Sequence, residues 1–161
     1  RKGESTMECR LQEDRSRCFR GVIRPGEFYD ASMCNPPFHA SAADAASGTD
    51  RKRRNLGHSK SSAPTRNFGG QGGELWCPGG ELGFVLRMVA ESVEVRDQVR
   101  WFTSLVSKSA HLPRLEGAAR DAGALEVTTI EMGQGQKRSR ILAWTFTEVP
   151  TASAKRGQSR G

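Results

Sequence analysis

Tyr29-Asp30-Ala31-Ser32-Met33-Cys34-Asn35-Pro36-Pro37-Phe38 decides how this chain is read. Residues 29–34 read as a short buried strand, and the four residues after it as a rigid turn that stops it. Proline lacks an N–H and holds φ near about −65°, so two in succession end the strand and aim the Pro36 carbonyl in a set direction. Pro-Pro pairs also occur in turns that do nothing beyond redirecting the chain. The tetrapeptide alone therefore leaves a purely structural loop open.

The functional reading comes from what the turn offers. The Asn35 side-chain oxygen and the Pro36 carbonyl are two acceptors, Pro37 stiffens the backbone, and Phe38 adds an aromatic face. Together they can hold a planar ring by its face and an amino group on its edge. An amine such as N6 of adenine is a poor nucleophile because its lone pair is delocalised into the ring; acceptors on its N–H bonds localise that pair. Stacking on an aromatic side chain is worth about 1–3 kcal/mol per base and requires the base to leave its own stack. The chemistry implied is methylation of an exocyclic nitrogen of adenine, cytosine or glutamine, with a sulfonium methyl donor positioned in line. His39 reads as a structural neighbour rather than a base, since the proton can leave after transfer.

Around the turn the chain divides as follows. Residues 7–12 predict a short strand, and residues 13–27 a polar connection ending at Pro25-Gly26. Alanine dominates 40–46, a possible short helix. Residues 47–73 are rich in Gly, Ser, Arg and Lys without periodicity, and read as a long functional loop, disordered without ligand. Leu82, Val85, Leu86, Val89 and Val93 fall on one helical face, predicting a helix over 81–95. Residues 98–106 predict a strand. Residues 112–122 predict a helix, with Pro113 near its start and Gly123 just past its end. Residues 125–132 and 139–147 predict a hairpin turning through Gly133-Gln134-Gly135-Gln136. The tail from Pro150 reads as disordered and basic.

Composition fits one domain. The 161 residues suffice for a core, but only 35% are apolar and the mean hydropathy is −0.61, so part of the chain should be loop. No apolar run approaches the roughly 20 residues of a membrane span, and no signal peptide is visible at the start. Cys9, Cys18, Cys34 and Cys77 are scattered and read as reduced thiols, with no metal site expected. The formal net charge of +7 and pI of about 9.7 favour an anionic partner. Its basic residues cluster: Arg51-Lys52-Arg53-Arg54; Lys137, Arg138 and Arg140; and Lys155-Arg156 with Arg160. The first run follows the turn where a nucleic-acid backbone would pass beside a flipped base. The third reads as a solvated tail.

Several blocks, in order, resemble one family. Tyr29 to His39, Arg51-Lys52-Arg53-Arg54-Asn55-Leu56-Gly57, Asn67-Phe68-Gly69-Gly70-Gln71, Glu74-Leu75-Trp76-Cys77, Gly79-Gly80-Glu81, Trp101 to Ser107, Gln134-Gly135-Gln136-Lys137 and Ile141 to Phe146 are similar to the bacterial methyltransferases that modify an adenine N6 in 23S ribosomal RNA. A more distant likeness is to the eukaryotic enzyme that methylates an adenine in a spliceosomal RNA.

The resemblance implies an α/β fold, a Rossmann-like class I methyltransferase sheet with the strand order 3-2-1-4-5-7-6 and a C-terminal antiparallel hairpin. In that order residues 7–12 would be strand 3 and the turn-bearing strand would be strand 4, with strands 1 and 2 missing. Residues 1–149 would form the C-terminal portion of the domain. The implied cofactor is S-adenosylmethionine, bound partly at Asn35, with the rest of its site expected upstream. Gly70-Gln71-Gly72-Gly73 and Gly133-Gln134-Gly135 do not join a buried strand to a helix and read as loop and hairpin glycines. The implied base-binding residues are Asn35, Pro36, Pro37 and Phe38. The implied partner is 23S ribosomal RNA or a large-subunit assembly intermediate in the cytoplasm, contacted by Arg51, Lys52, Arg53, Arg54, Lys137, Arg138 and Arg140. On this reading the chain is a truncated half, inactive alone. Methylation of DNA adenine or protein glutamine, and a non-catalytic basic RNA-binding fragment, are the alternatives.

Replacing Arg51, Lys52, Arg53 and Arg54 with alanine is expected to weaken RNA binding and flatten its salt dependence, because phosphate contacts carry affinity and release counterions. An unchanged salt slope in a binding titration would reduce the run to a solvated loop.

Overall fold

Phe102 and Trp144 fix the middle of the sheet. They are cross-strand partners, both fully buried, with stacked rings 5.7 Å apart. The strands around them alternate in exposure as a sheet with one covered face must. The structure, a computed structural model, describes residues 7–41, 43, 76–134 and 137–148.

The elements in chain order are β1 (Tyr29–Cys34), α1 (Gly80–Ser92) running into a 3₁₀ turn (Val93–Val95), β2 (Val99–Val106), a 3₁₀ turn (Ser109–His111), α2 (Leu112–Asp121), β3 (Glu126–Gln134) and β4 (Lys137–Thr145). They build one four-stranded sheet in the order β1-β2-β4-β3. β1 runs parallel to β2, and β4 is antiparallel to both β2 and β3. This is the expected 4-5-7-6 order with its terminal hairpin.

Local sequence explains the helices. Gly79, at φ 81°, is the N-cap of α1, and Gly80, at φ 58°, is its first residue. These are backbone conformations that glycine adopts without a Cβ penalty. α1 then buries Val85, Met88 and Val89. Pro113 stands at the start of α2, and Gly123, at φ 91°, ends it as the Gly123 N–H donates to the Arg120 carbonyl. Both helices cover one face of the sheet, where Val85, Met88, Val89, Leu115 and Ala119 meet Phe102, Val106, Leu142 and Trp144. The Trp144 indole N–H donates to Ser92 Oγ at 3.0 Å, and Ser92 in turn donates to the Val89 carbonyl at 2.6 Å. No helix among the described residues is long and apolar enough to cross a membrane.

Three expectations need correction. Residues 7–12 form no strand. A strand needs a partner ladder, and this segment is held by side chains instead: the Arg10 guanidinium donates to both Glu27 carboxylate oxygens at 2.6 Å and to the Val22 carbonyl. β1 is not buried either. It is an edge strand whose paired neighbour among the described residues is β2, and Met33 on it is 85% exposed. Finally, residues 13–27 are more than a polar connection. Phe19 is buried and meets Phe102 edge-on at 5.3 Å, while the Glu91 carboxylate accepts the backbone N–H groups of Cys18, Phe19 and Arg20. The expected short helix at 40–46 (apart from residues 40, 41 and 43), the basic loop at 47–73 and the tail from residue 150 lie outside the described residues.

Ser92→Ala should cost about 1–3 kcal/mol of stability, because it leaves the buried Trp144 N–H without an acceptor. Urea unfolding followed by tryptophan fluorescence measures this, and a loss below about 0.5 kcal/mol would mean that the indole finds another partner.

Candidate base-binding turn at the C-terminal edge of the sheet

β1 delivers Asn35 to the C-terminal edge of the sheet, since Cys34 pairs with Ser104 two residues before β2 ends. In the turn that follows, Pro36 is fully buried, Pro37 is half-buried, and Asn35 and Phe38 are exposed, Phe38 by 41%. The turn is thus anchored by one proline and presents its acceptor and its ring outward. Asn35 and Pro37 border a cleft of about 400 Å³, lined also by Gln12, Cys34, Phe84 and Met88. Arg15 and Arg17 stand at the same cleft.

The exit of the turn is clamped from below. His39 bridges to Trp76, and the Cys77 N–H donates to the His39 carbonyl at 3.0 Å. A Cβ on Gly80 would lie 3.4–3.5 Å from backbone atoms of Phe38, His39 and Ala40, so the first residue of α1 abuts the turn. Pro78 is pressed against the same helix: a Cβ on Gly83 would stand 2.9 Å from the Pro78 carbonyl oxygen. Glycine there is a packing requirement.

Glu81, the next residue, ties this clamp to the end of β2. Its buried carboxylate accepts the Ser107 N–H at 2.8 Å, the Ser107 hydroxyl, the Lys108 N–H at 3.4 Å and His111 Nδ1 at 2.8 Å. Burial works to raise its pKa, but the hydrogen bonds from Ser107, His111 and Lys108 outweigh it and hold the carboxyl below the usual glutamate range. Sequence reading gave Glu81 no role, because a lone acid in the first turn of a helix reads as a favourable surface charge. Burial, and then the Glu91 charge, push the Cys18 thiol up to about 12, and burial raises Cys34. No group of three metal-ligating side chains occurs among the described residues.

The remaining sequence candidates divide. Arg138 and Arg140 lie on β4, and because Val106 pairs with Arg140 the hairpin projects from the same sheet edge as Asn35. Arg138 is exposed, whereas Arg140 donates to its cross-strand partner Glu131 at 2.9 Å. One of that cluster's three charges is therefore offset locally. Arg51, Lys52, Arg53, Arg54 and the Lys137 side chain lie outside the described residues.

An open sheet in this order, with its candidate site beyond the C-terminal ends of the strands, defines a Rossmann-like class I methyltransferase fold. A family model described as RNA methyltransferase matches residues 2–148, and the chain belongs to that family. It is 55% identical over 142 residues to ribosomal RNA large subunit methyltransferase F of Salmonella newport (strain SL254), and equally to that of Salmonella typhimurium, over 88% of this chain and 46% of each relative. The chain thus spans about half the length of the curated relatives it matches. Among solved structures, the hMettl16 catalytic domain in complex with MAT2A 3′UTR hairpin 1 superposes with a TM-score of 0.60 at 29% identity, covering 83% of this chain and 45% of that one. The same domain with hairpin 6 gives 0.56 at 31% identity, covering 76% and 42%. These likenesses agree with the C-terminal portion expected from the sequence.

Glu81→Gln is expected to cost about 1–3 kcal/mol near neutral pH, since an amide cannot accept from all four donors. The carboxyl is held low in the folded state, so its contribution is fully present above the unfolded glutamate pKa, about 4.3, and is lost as pH falls through the lower folded value. The stability gap between the two proteins should therefore narrow below about pH 4.3, as measured by urea unfolding at a series of pH values.

Proposed function

We propose that this chain carries the base-holding portion of an S-adenosylmethionine-dependent methyltransferase acting on the N6 amine of an adenine in 23S ribosomal RNA. The observation that carries the reading is the Asn35-Pro36-Pro37-Phe38 turn, with Pro36 buried and Asn35 and Phe38 open at the C-terminal edge of the sheet. Family membership and the RNA-bound neighbours support RNA over DNA or protein as substrate.

In this reading the flipped adenine stacks on Phe38. The Asn35 oxygen and the Pro36 carbonyl accept the two N6–H bonds, which localises the nitrogen lone pair toward the reacting methyl. The amine nitrogen forms the new C–N bond, the bond to the donor sulfur breaks, and the extra proton leaves the nitrogen afterwards. S-adenosylmethionine supplies the electrophilic methyl group. The cleft beside Asn35 is of a size at which small molecules bind, commonly about 300–1,000 Å³. Asn35 would touch the donor from one side, and most of the donor site is assigned to the half of the relatives' length that this chain does not span. The clamp from Trp76 to Glu81 keeps the turn rigid, and positioning of this kind is what such a transfer requires. The partner is free 23S RNA or an assembly intermediate, met in the cytoplasm.

In a chain extended to the relatives' full length, Asn35→Ala should abolish methyl transfer while leaving donor binding largely intact, because the lost contact matters most in the transition state. His39→Ala should cost much less. Methyl incorporation from labelled donor and calorimetric donor binding report on the two steps separately. Near-normal turnover of the Asn35 variant would overturn the assignment, and incorporation by the 161-residue chain alone would place the donor site within it.

A further inference from the structure

We infer that residues 107–109, Ser-Lys-Ser, form a phosphate-contacting corner on the sheet rim, with Lys108 as its charged contact for the RNA backbone between the Asn35 turn and the hairpin. The inference goes beyond the base-holding reading and rests on it only for the identity of the polyanion as RNA.

Three observations carry it. The first is register. Cys34 pairs with Ser104 and Val106 with Arg140, so Asn35, Lys108 and the hairpin arginines stand over successive strands of one edge. Neighbouring strands are about 4.8 Å apart and each residue adds about 3.4 Å along them, so Lys108 occupies the step between the turn and Arg138. The second is charge. Lys108 is exposed, and no carboxylate among the described residues forms a salt bridge with it. Its exposed neighbours Ser107, Ser109 and Ala110 bring no acid. Arg140 is different, since Glu131 already holds it. The third is rigidity. The two backbone N–H groups that set the corner, those of Ser107 and Lys108, are donated to buried Glu81, and Lys108 itself is extended at φ −102° and ψ 113°. Burying a carboxylate costs several kcal/mol before compensation. Spending it to fix an exposed Ser-Lys-Ser corner makes sense where the corner must meet something at a set position. A corner held in place loses less conformational freedom on binding than a free loop.

The chemistry that fits is a phosphodiester. Lysine acts on phosphate as a point charge, the Ser109 hydroxyl adds a neutral donor while that of Ser107 is committed to Glu81, and neither contact reads sequence. The corner would therefore contribute affinity and register at the edge where the base is held, and no discrimination between bases.

The test uses this chain and a fluorescein-labelled single-stranded RNA, with anisotropy titrations over a range of salt. Lys108→Gln should weaken binding several-fold and lower the log–log salt slope by about 0.7, the value for one contact to a single strand. Lys108→Arg should restore both, and the unfolding midpoint should not change in either. Asn35→Ala should leave the salt slope as it is. A normal slope and affinity in Lys108→Gln would overturn the inference, as would failure of the folded wild-type chain to bind RNA. A reduced slope in Lys108→Gln alongside normal methyl transfer by Asn35→Ala in the extended chain would instead fail the base-holding reading alone.

Discussion

The Glu81 carboxylate is the interaction on which the arrangement of the site depends. It joins the first turn of α1 to the residues leaving β2, through the N–H groups of Ser107 and Lys108, the Ser107 hydroxyl and His111. An ionised carboxylate loses several kcal/mol of hydration on burial. Hydrogen bonds to charged groups return roughly 1.5–3 kcal/mol each, so four of them can offset that loss. An aliphatic residue at 81 could fill the same volume, but it could not orient two backbone donors and an imidazole. Because Gly80 abuts the backbone of Phe38, His39 and Ala40, an anchor at Glu81 is also an anchor for the turn.

The turn itself needs such help because β1 is an edge strand. In the described residues it has ladder bonds to β2 on one side, and its Met33 side chain is largely exposed. An edge strand alone holds its last residues loosely. Two features compensate here: Pro36 is buried, and the chain after the turn bonds to Trp76 and Cys77 immediately before α1. Rigidity at residues 35–38 thus comes from the clamp and the prolines more than from the sheet.

The elements that the sequence made legible are those with a strong period. Residues 81–95 bury Val85 and Val89 at helical spacing, 98–106 alternates, Pro113 and Gly123 mark both ends of α2, and the hairpin follows from two alternating runs. Residues 7–12 failed because Met7, Cys9 and Leu11 alternate like a strand, yet Met7 is 93% and Leu11 83% exposed. Alternation says which side chains share a face, and only a partner strand turns it into a ladder. Glu91 and Phe19 were illegible for a related reason: they meet across more than 70 residues, and the segment they fix has no period of its own. The turn residues of the site were legible since proline restricts the backbone wherever it stands. Glu81 was not, since the difference between a surface acid and a buried hub lies in what covers it.

The rim divides its tasks by chemistry. The residues that would identify a base, Asn35, Pro36 and Phe38, are few and uncharged, and Pro36 is buried. Of the exposed cations, Lys108 and Arg138 stand farther along the same edge, and Arg15 stands at the Asn35 cleft. Acceptors without net charge can polarise the N–H bonds of an amine without adding charge at the reacting nitrogen. On the proposed function, salt should act on how tightly RNA would be held and scarcely on a base once seated, because Debye screening reaches exposed phosphate contacts far more than a base stacked on Phe38.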